Sequence, residues 1–113
     1  MSLRVEQIVF GDLTGDGNID AAVVLTEWRG GTGVQYDVAA VVDVGGRPRV
    51  VSRYMLDSSI WMLPPVIRDG RISIAAVIHR RSDHKHEPSL PWIFELRLEG
   101  NELVPQQPRP NLP

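Results

Sequence analysis

The sequence predicts an all-β domain, an antiparallel meander of about eight strands that forms a strongly curved sheet or an open barrel. Glycine and proline clusters divide the 113 residues into short apolar stretches of strand length. None of these stretches has a sustained helical period of apolar residues. The links between them are mostly short, which favours hairpins between neighbouring strands over long crossover connections.

The clearest predicted strand is Val34–Val44, because apolar and polar side chains alternate along it. Apolar residues occupy the even positions, while Gln35, Asp37 and Asp43 lie on the opposite face. A period of two is the pattern of a strand with one buried face. Ile19–Leu25 lacks this alternation, which predicts a strand that is covered on both faces.

Short turn sequences separate the strands in the second half of the chain. The paired glycines of Gly45–Arg47 can reach the positive φ of a two-residue hairpin, and Asp69–Gly70 suits a type I′ turn. Glu99–Asn101 makes the last turn, into a short strand at Glu102–Val104. Pro64–Pro65 removes two backbone donors, so we expect an edge strand that is kinked or interrupted there.

Two further strands each present one apolar face, which we assign to the core. The predicted core faces of the two strands are Ile72, Ile74, Ala76 and Ile78, and Trp92, Phe94, Leu96 and Leu98.

The sequence predicts one folded domain and a short tail. Residues 1–104 are expected to form a single β domain, and the proline-rich residues 105–113 an extended tail.

Composition excludes several classes of protein. The net charge is −2, with 12 basic and 14 acidic residues, so the broad basic surface of a nucleic-acid-binding protein is missing and we expect no nucleic-acid partner. The longest apolar runs are far shorter than the roughly 18 residues that cross a bilayer, so no membrane span is expected. Cysteine is absent, which excludes disulfides and thiolate metal sites.

The strongest chemical signal is the segment GDLTGDGNID, in which oxygen-bearing side chains recur at every second position. Calcium takes six to eight hard oxygen ligands, and a tight loop with a glycine at its bend can turn alternate side chains inward. An EF-hand is excluded, because its twelfth loop position requires glutamate and is Val23 here. The candidate ligands are the side chains of Asp12, Thr14, Asp16 and Asp20 and the backbone carbonyl of Asn18.

The same residue types also stabilise turns without a metal, through hydrogen bonds from side chain to backbone. A metal-free turn and a calcium loop therefore stand as alternatives. For calcium, three carboxylates and one hydroxyl predict a weak structural site, with a dissociation constant of about 10⁻⁴ to 10⁻³ M, as in extracellular modules.

The longer segment GDLTGDGNIDAAVVL resembles the strand-loop-strand calcium motif of FG-GAP and VCBS-type repeats, Asp-x-Asp/Asn-x-Asp-Gly-x-x-Asp before an apolar strand. The resemblance implies carboxylate ligands at Asp12, Asp16 and Asp20, a carbonyl ligand at Asn18, and a hydroxyl at Thr14 in place of the usual carboxylate or amide. A single copy cannot close the propeller that such repeats build.

Over most of its length the chain is similar to a small β domain of uncharacterised bacterial exported proteins and lipoproteins. This similarity implies an extracytoplasmic location, in the periplasm or at the cell surface, and no known activity. The N-terminal residues lack the charged and apolar regions of a signal peptide, so we expect the native export signal or anchor to lie outside this sequence.

Two weaker signals concern other ligands. His84 and His86 stand two residues apart, on one side of an extended chain, where they can hold a transition metal with a third ligand from elsewhere. A solvated loop is the alternative for this segment. Trp28, Trp61 and Trp92 are candidates to line a small-molecule cavity, with core or rim packing as the alternative.

No nucleophile elbow, phosphate loop or Walker lysine occurs, so we do not expect an enzyme. The first functional hypothesis is a non-catalytic exported β domain that acts as a binding or interaction module, with a weak structural calcium site in the loop of residues 12–20. The alternative is a small-molecule or transition-metal binding protein that uses the barrel interior or the loop of His84 and His86.

Overall fold

The computed structural model describes residues 2–28, 33–58, 60–79 and 88–107. Within these ranges the chain forms nine strands and no helix, so the prediction of an all-β protein is confirmed. The strands are β1 (Ser2–Gly11), β2 (Asp20–Trp28), β3 (Val34–Val44), β4 (Arg47–Ser58), β5 (Trp61–Met62), β6 (Val66–Arg68), β7 (Arg71–Ile78), β8 (Leu90–Glu99) and β9 (Glu102–Pro105).

The strands form two antiparallel sheets. Sheet 1 has the order β1-β2-β3-β4, and sheet 2 has the order β5-β7-β8-β9, with β6 also paired to β7. Each sheet is a meander, and the chain passes from one to the other between β4 and β5. The pairings among the described strands do not close a barrel, and the predicted curved sheet or open barrel of eight strands is not confirmed.

The two sheets bury a common hydrophobic core. Alternate side chains of β2, β3 and β4 meet alternate side chains of β7 and β8, because each sheet turns one face of its pleat inward. The predicted inner faces of β3, β7 and β8 are confirmed by this cluster. Its members include Ala22, Val38, Ala40, Leu56, Ile72, Ile74, Ala76, Ile78, Phe94 and Leu96, with Trp92 and Leu98 packed against it.

The predicted hairpin turns are confirmed. Gly45 and Gly46 join β3 to β4 with φ of 60° and 84°, and Asp69 and Gly70 join β6 to β7 with φ of 52° and 73°. These left-handed values are those of a type I′ turn. The expected interruption at the two prolines is also present, because residues 63–65 separate β5 from β6.

Two contacts join the edges of the sheets. At one edge, the amide of Leu103 in β9 donates a hydrogen bond of 2.9 Å to Ser52 Oγ in β4. At the other edge, Gly11 in β1 lies so close to β6 that a Cβ at this position would be 2.7 Å from Ile67 Cγ2. Only glycine fits there without displacement, and the end of β1 is thereby fixed against sheet 2.

The outer face of sheet 1 differs from expectation at β2. Ala22 and Val24 point into the core, while Val23 and Leu25 point outward and are half-buried. Among the described residues no element covers this outer face, since Ile8, which pairs with Val23, is more than half exposed. The missing alternation in β2 therefore reflects apolar side chains on an uncovered face, and the predicted cover on both sides is wrong.

The described chain ends shortly after β9. Pro105 pairs with Leu96, and the amide of Gln106 donates to the carbonyl of Glu95 at 2.8 Å. The predicted proline-rich tail of residues 105–113 therefore begins with residues that still pair with β8, and residues 108–113 lie outside the described ranges.

Candidate functional site

The acidic loop connects β1 to β2 at one end of sheet 1. Its ends are held together by the pairing of Gly11 with Asp20, the last ladder pair of the two strands. Gly15 and Gly17 have φ of 80° and 84°, a left-handed conformation that other residues adopt only with strain. These two glycines let the chain bend twice within six residues, and the bends turn neighbouring side chains toward one another.

The loop brings the three predicted carboxylates together. One oxygen from each of Asp12, Asp16 and Asp20 lies within 4.8 Å of the others, a grouping that can hold a metal ion. Asp16 is exposed, Asp12 is half-buried and Asp20 is only 2% exposed. The cluster therefore has one buried wall and opens to solvent on the other side.

Asp20 anchors the loop to the sheet. Its Oδ2 accepts a hydrogen bond of 2.9 Å from the amide of Leu13, and its Oδ1 accepts one of 3.0 Å from the amide of Asp43 in β3. Leu13 in turn belongs to the hydrophobic core. The buried carboxylate thus ties the start of the loop, the start of β2 and the end of β3 to one point.

Asp12 closes the middle of the loop. Its Oδ1 accepts hydrogen bonds from the amides of Thr14 and Gly15, at 3.1 and 2.8 Å, and its Oδ2 accepts one of 2.9 Å from the amide of Gly17. These donors, with Gly17 and then Gly15 contributing most, hold the pKa of Asp12 below its ordinary value. The carboxylate is therefore ionised at neutral pH.

Asp16 is also held in its ionised form. The amide of Asn18 donates a hydrogen bond of 2.9 Å to Asp16 Oδ1, and this bond, followed by the hydroxyl of Thr14, lowers the pKa of the carboxyl group. The side-chain amide of Asn18 is 3.4 Å from Asp16 Oδ2. Asn18 thus contacts the cluster as a donor, a role that the prediction of a carbonyl ligand did not include.

Thr14 lies between the carboxylates, as its place in the pattern predicts. Its hydroxyl oxygen is 3.5 Å from both Asp12 Oδ1 and Asp20 Oδ2. A hydroxyl can donate to a carboxylate or offer a lone pair to a cation, so this residue suits either state of the loop. A carboxylate or an amide at this position would supply a stronger cation ligand.

The arrangement allows both alternatives for the loop. The hydrogen bonds from six backbone amides hold the three carboxylates in place without an ion. An ionised carboxylate has about four lone-pair sites, so oxygens that already accept one or two amide bonds retain capacity for a cation. The local turn and a cation site therefore use the same atoms.

The histidine pair proposed for a transition metal, His84 and His86, lies outside the described residues. The third histidine, His79, follows β7 and is half-buried, with Nδ1 3.8 Å from Asp57 Oδ2 in β4. Among the residues that the structure describes, one group of three acidic or histidine side chains is close enough together to hold a metal ion, and it lies in the acidic loop.

Two of the predicted tryptophans line depressions. The one at Trp61 has a volume of about 400 Å³ and lies between Val24 and Tyr36 of sheet 1 and Met62 of sheet 2. The one at Trp28 has about 270 Å³ and is lined by residues of sheet 1, among them Thr26 and Tyr36. Trp92 packs against the core, as its register predicts, whereas Trp28 and Trp61 are more than half exposed. Two more apolar depressions lie on the outer faces. One beside Trp61 on sheet 2 has a volume of about 240 Å³, and one between Phe10 and Pro48 on sheet 1 has about 500 Å³.

Sequence reasoning missed a charged cluster on the outer face of sheet 1. Arg53 Nε donates to Asp37, and Arg53 Nη2 donates to Glu27 Oε1 at 3.1 Å. Gln35 Nε2 also donates to Asp37, at 2.9 Å. These residues belong to three strands, and only the register of β2, β3 and β4 brings them together, so no local pattern in the sequence announces them.

Among the described residues there is no helix long and apolar enough to span a membrane. Comparisons with protein families, with curated proteins and with solved structures found no match to this chain.

Proposed function

We propose that this chain is a non-catalytic, extracytoplasmic β domain that serves as a binding or interaction module and holds a structural calcium ion in the loop of residues 12–20. The observation that carries the proposal is the approach of Asp12, Asp16 and Asp20, whose oxygens lie within 4.8 Å of one another. Three carboxylates around one point attract a divalent cation, and calcium accepts the irregular oxygen geometry of such a loop.

The state of the carboxylates supports the proposal. The backbone amides hold the pKa of Asp12 and of Asp16 below the ordinary value of 3.8, so both groups carry their charge at neutral pH. Charges of the same sign repel at this separation, and a bound cation removes that repulsion. The ligand set therefore needs no proton release before it binds calcium.

The position of the loop supports a structural role. Asp20 joins the loop to β3, and Leu13 joins it to the core, so an ion at the cluster would hold β1, β2 and β3 together at their common end. With three carboxylates and a partly exposed site, we expect the weak affinity of extracellular modules, with a dissociation constant of about 10⁻⁴ to 10⁻³ M. Such a site is filled only where calcium is millimolar, which favours a location outside the cytoplasm.

The test is thermal unfolding of EDTA-treated protein during a calcium titration, with magnesium as the control ion. A ligand that binds only the folded chain stabilises it by RT ln(1 + [L]/Kd), so 10 mM calcium should raise the melting temperature by about 5–15 °C for a chain of this size. Asp16→Ala should abolish the increase, because it removes an exposed ligand without opening the core.

Glu99→Ala is the matched control, since it removes one exposed carboxylate outside the loop, at the last residue of β8 in sheet 2, and should leave the calcium response unchanged. If the wild type shows no increase at 10 mM calcium, the loop is a metal-free turn. If magnesium gives the same increase, the loop binds divalent cations without selectivity, and either result contradicts the calcium proposal. The alternative transition-metal site at His84 and His86 predicts a different response, stabilisation by zinc that Asp16→Ala does not alter.

A further inference from the structure

One end of the outer face of sheet 1, beyond the charged cluster of Arg53, carries a row of apolar residues that crosses all four strands. Phe10, Ala21, Val41 and Val50 form one row of paired residues, and Ile8 continues the apolar surface in the next row. Paired residues point to the same side of a sheet. Phe10 is 69% exposed and Val50 63% exposed, so these side chains face solvent in the single chain.

The face is grooved. Its central strands carry the small residues Ala21 and Ala39, which are buried, while the edge strands carry larger residues such as Phe10 and Val50, which project. The resulting groove has a volume of about 500 Å³ and is lined by Ile8, Phe10, Ala21, Val23, Val41 and Pro48, among others. One rim of the groove is therefore formed by the most exposed large apolar side chain described in this structure.

The exposed apolar area is that of an interface. Six large side chains of this face are each more than half exposed: Leu3, Val5, Ile8, Phe10, Val50 and Met55. Weighted by their exposed fractions, these six residues expose roughly 700 Å² of surface, backbone included, on both sides of the charged cluster, which is close to the about 800 Å² that each partner contributes to a stable interface. Monomeric proteins rarely leave apolar patches of more than a few hundred Å² uncovered.

The charged cluster on this face is paired within the chain, and the groove lining also includes the acidic residues Asp20 and Asp43. Asp37 and Glu27 are both paired with Arg53 of their own chain, so the cluster does not require a cation from elsewhere. A strongly basic partner would have to compete with Arg53 for these carboxylates. A second copy that covers only the apolar rows leaves these ion pairs in contact with solvent and does not displace them.

We propose that the outer face of sheet 1 is a homodimer interface, in which Phe10 of each copy lies in the groove of the other. A groove and the rim that fits it are present on one surface, so a twofold axis satisfies both contacts at once, as an isologous interface requires. The two sheets would pack face to face, about 10 Å apart, as sheets pack within β-sandwiches. This proposal does not depend on calcium binding in the acidic loop.

Analytical ultracentrifugation of the wild-type chain and of two matched variants tests the proposal. The wild type should sediment as a dimer at about 100 µM, and Phe10→Asp should raise the dissociation constant of the dimer roughly 30-fold or more, as the loss of a central aromatic residue does. Trp61→Asp, an equally exposed aromatic residue on sheet 2, should leave the dimer intact. Circular dichroism checks that both variants fold. We expect them to fold, because the side chains of Phe10 and Trp61 are exposed in the single chain.

Disulfide trapping gives an independent measurement, because the chain contains no cysteine. Phe10 and Val41 stand in one row with β2 between them, about 10 Å apart, too far for a disulfide within one chain. A Phe10→Cys chain mixed with a Val41→Cys chain retains one Phe10 anchor and should therefore give a covalent heterodimer that a reductant separates. The control pair Trp61→Cys/Pro91→Cys, in a row across β7, should stay monomeric.

Three results would overturn the proposal. A wild-type chain that remains monomeric at about 100 µM would show that this face does not form a homodimer, because standard interfaces between identical chains are populated at that concentration. A Phe10→Asp variant that dimerises as strongly as the wild type places the interface elsewhere. Equal cross-linking of the two cysteine pairs shows random collision.

Discussion

Asp20 accepts a hydrogen bond of 3.0 Å from the backbone amide of Asp43, a residue 23 positions later in the chain. The other oxygen of the same carboxylate accepts the amide of Leu13. A turn residue at the edge of the acidic loop is therefore also the point at which three strands of sheet 1 are connected. Its two roles, loop anchor and candidate ligand, can be separated by substitution.

We predict that Asp20→Asn lowers the free energy of unfolding in EDTA by about 1–3 kcal/mol, because the new NH₂ group must face one of the two buried amide donors. Urea denaturation measures the change. Asp16→Asn is the control and should change stability less than Asp20→Asn does, since Asp16 is exposed. Equal effects of the two substitutions would show that Asp20 does not anchor the loop.

Stability in EDTA should fall at acid pH because of the loop carboxylates. The pKa of Asp12 and of Asp16 is lowered on folding, so their contribution is fully present above the unfolded value of about 3.9 and is lost as the pH falls through the lower folded values. Urea midpoints from pH 7 to pH 2 should therefore decline more steeply below pH 4 for the wild type than for Asp12→Asn/Asp16→Asn. Parallel curves would contradict this prediction.

Gly11→Ala should destabilise the protein by about 1–3 kcal/mol, because the new methyl group would lie 2.7 Å from Ile67 Cγ2 and push β1 away from β6. Ile67→Gly removes both atoms that the methyl group would strike, Cγ2 at 2.7 Å and Cβ at 2.8 Å. In the double variant the cost of Gly11→Ala should be smaller than in the wild type, which a double-mutant cycle by thermal unfolding measures. Strict additivity would mean that the two residues do not meet.

Arg53→Met should cost about 2 kcal/mol of stability. The substitution removes the guanidinium that contacts the carboxylates of Asp37 and Glu27, whose side chains are only 5% and 10% exposed. Adding Asp37→Asn should recover part of the loss, because the buried carboxylate closest to Arg53 is then no longer charged. Arg71→Met is the matched control: it breaks a longer, more exposed pair with Glu95, at 3.5 Å, and should cost less than about 1 kcal/mol.

The local features of the fold could be predicted because their causes lie within a few residues. The glycine pair at 45–46 and Asp69–Gly70 reach positive φ, which fixes the hairpins wherever the rest of the chain goes. The prolines at 64 and 65 interrupt their strand for an equally local reason, the loss of backbone donors. The gathering of Asp12 and Asp16 also follows from neighbouring sequence, since the glycines at 15 and 17 bend the loop around them.

Other features depend on residues that are distant in sequence. Strand periodicity shows that a strand has an apolar face, but two sheets and one curved sheet bury such faces equally well. The chain passes into a second sheet after β4, and only this step places Gly11 against Ile67 and Leu103 beside Ser52. The bond between Asp20 and Asp43 likewise requires the register of β2 on β3.

The sequence by itself determined that the chain is all-β, where its hairpins turn and which acidic side chains share a loop, because turn chemistry and strand alternation act over short stretches. The tertiary structure decided the division into two sheets, the buried anchor at Asp20, the Arg53 cluster and the uncovered apolar face. Each of these depends on strand pairing or sheet packing between distant parts of the chain, and one residue of register moves every side chain of a strand to the opposite face.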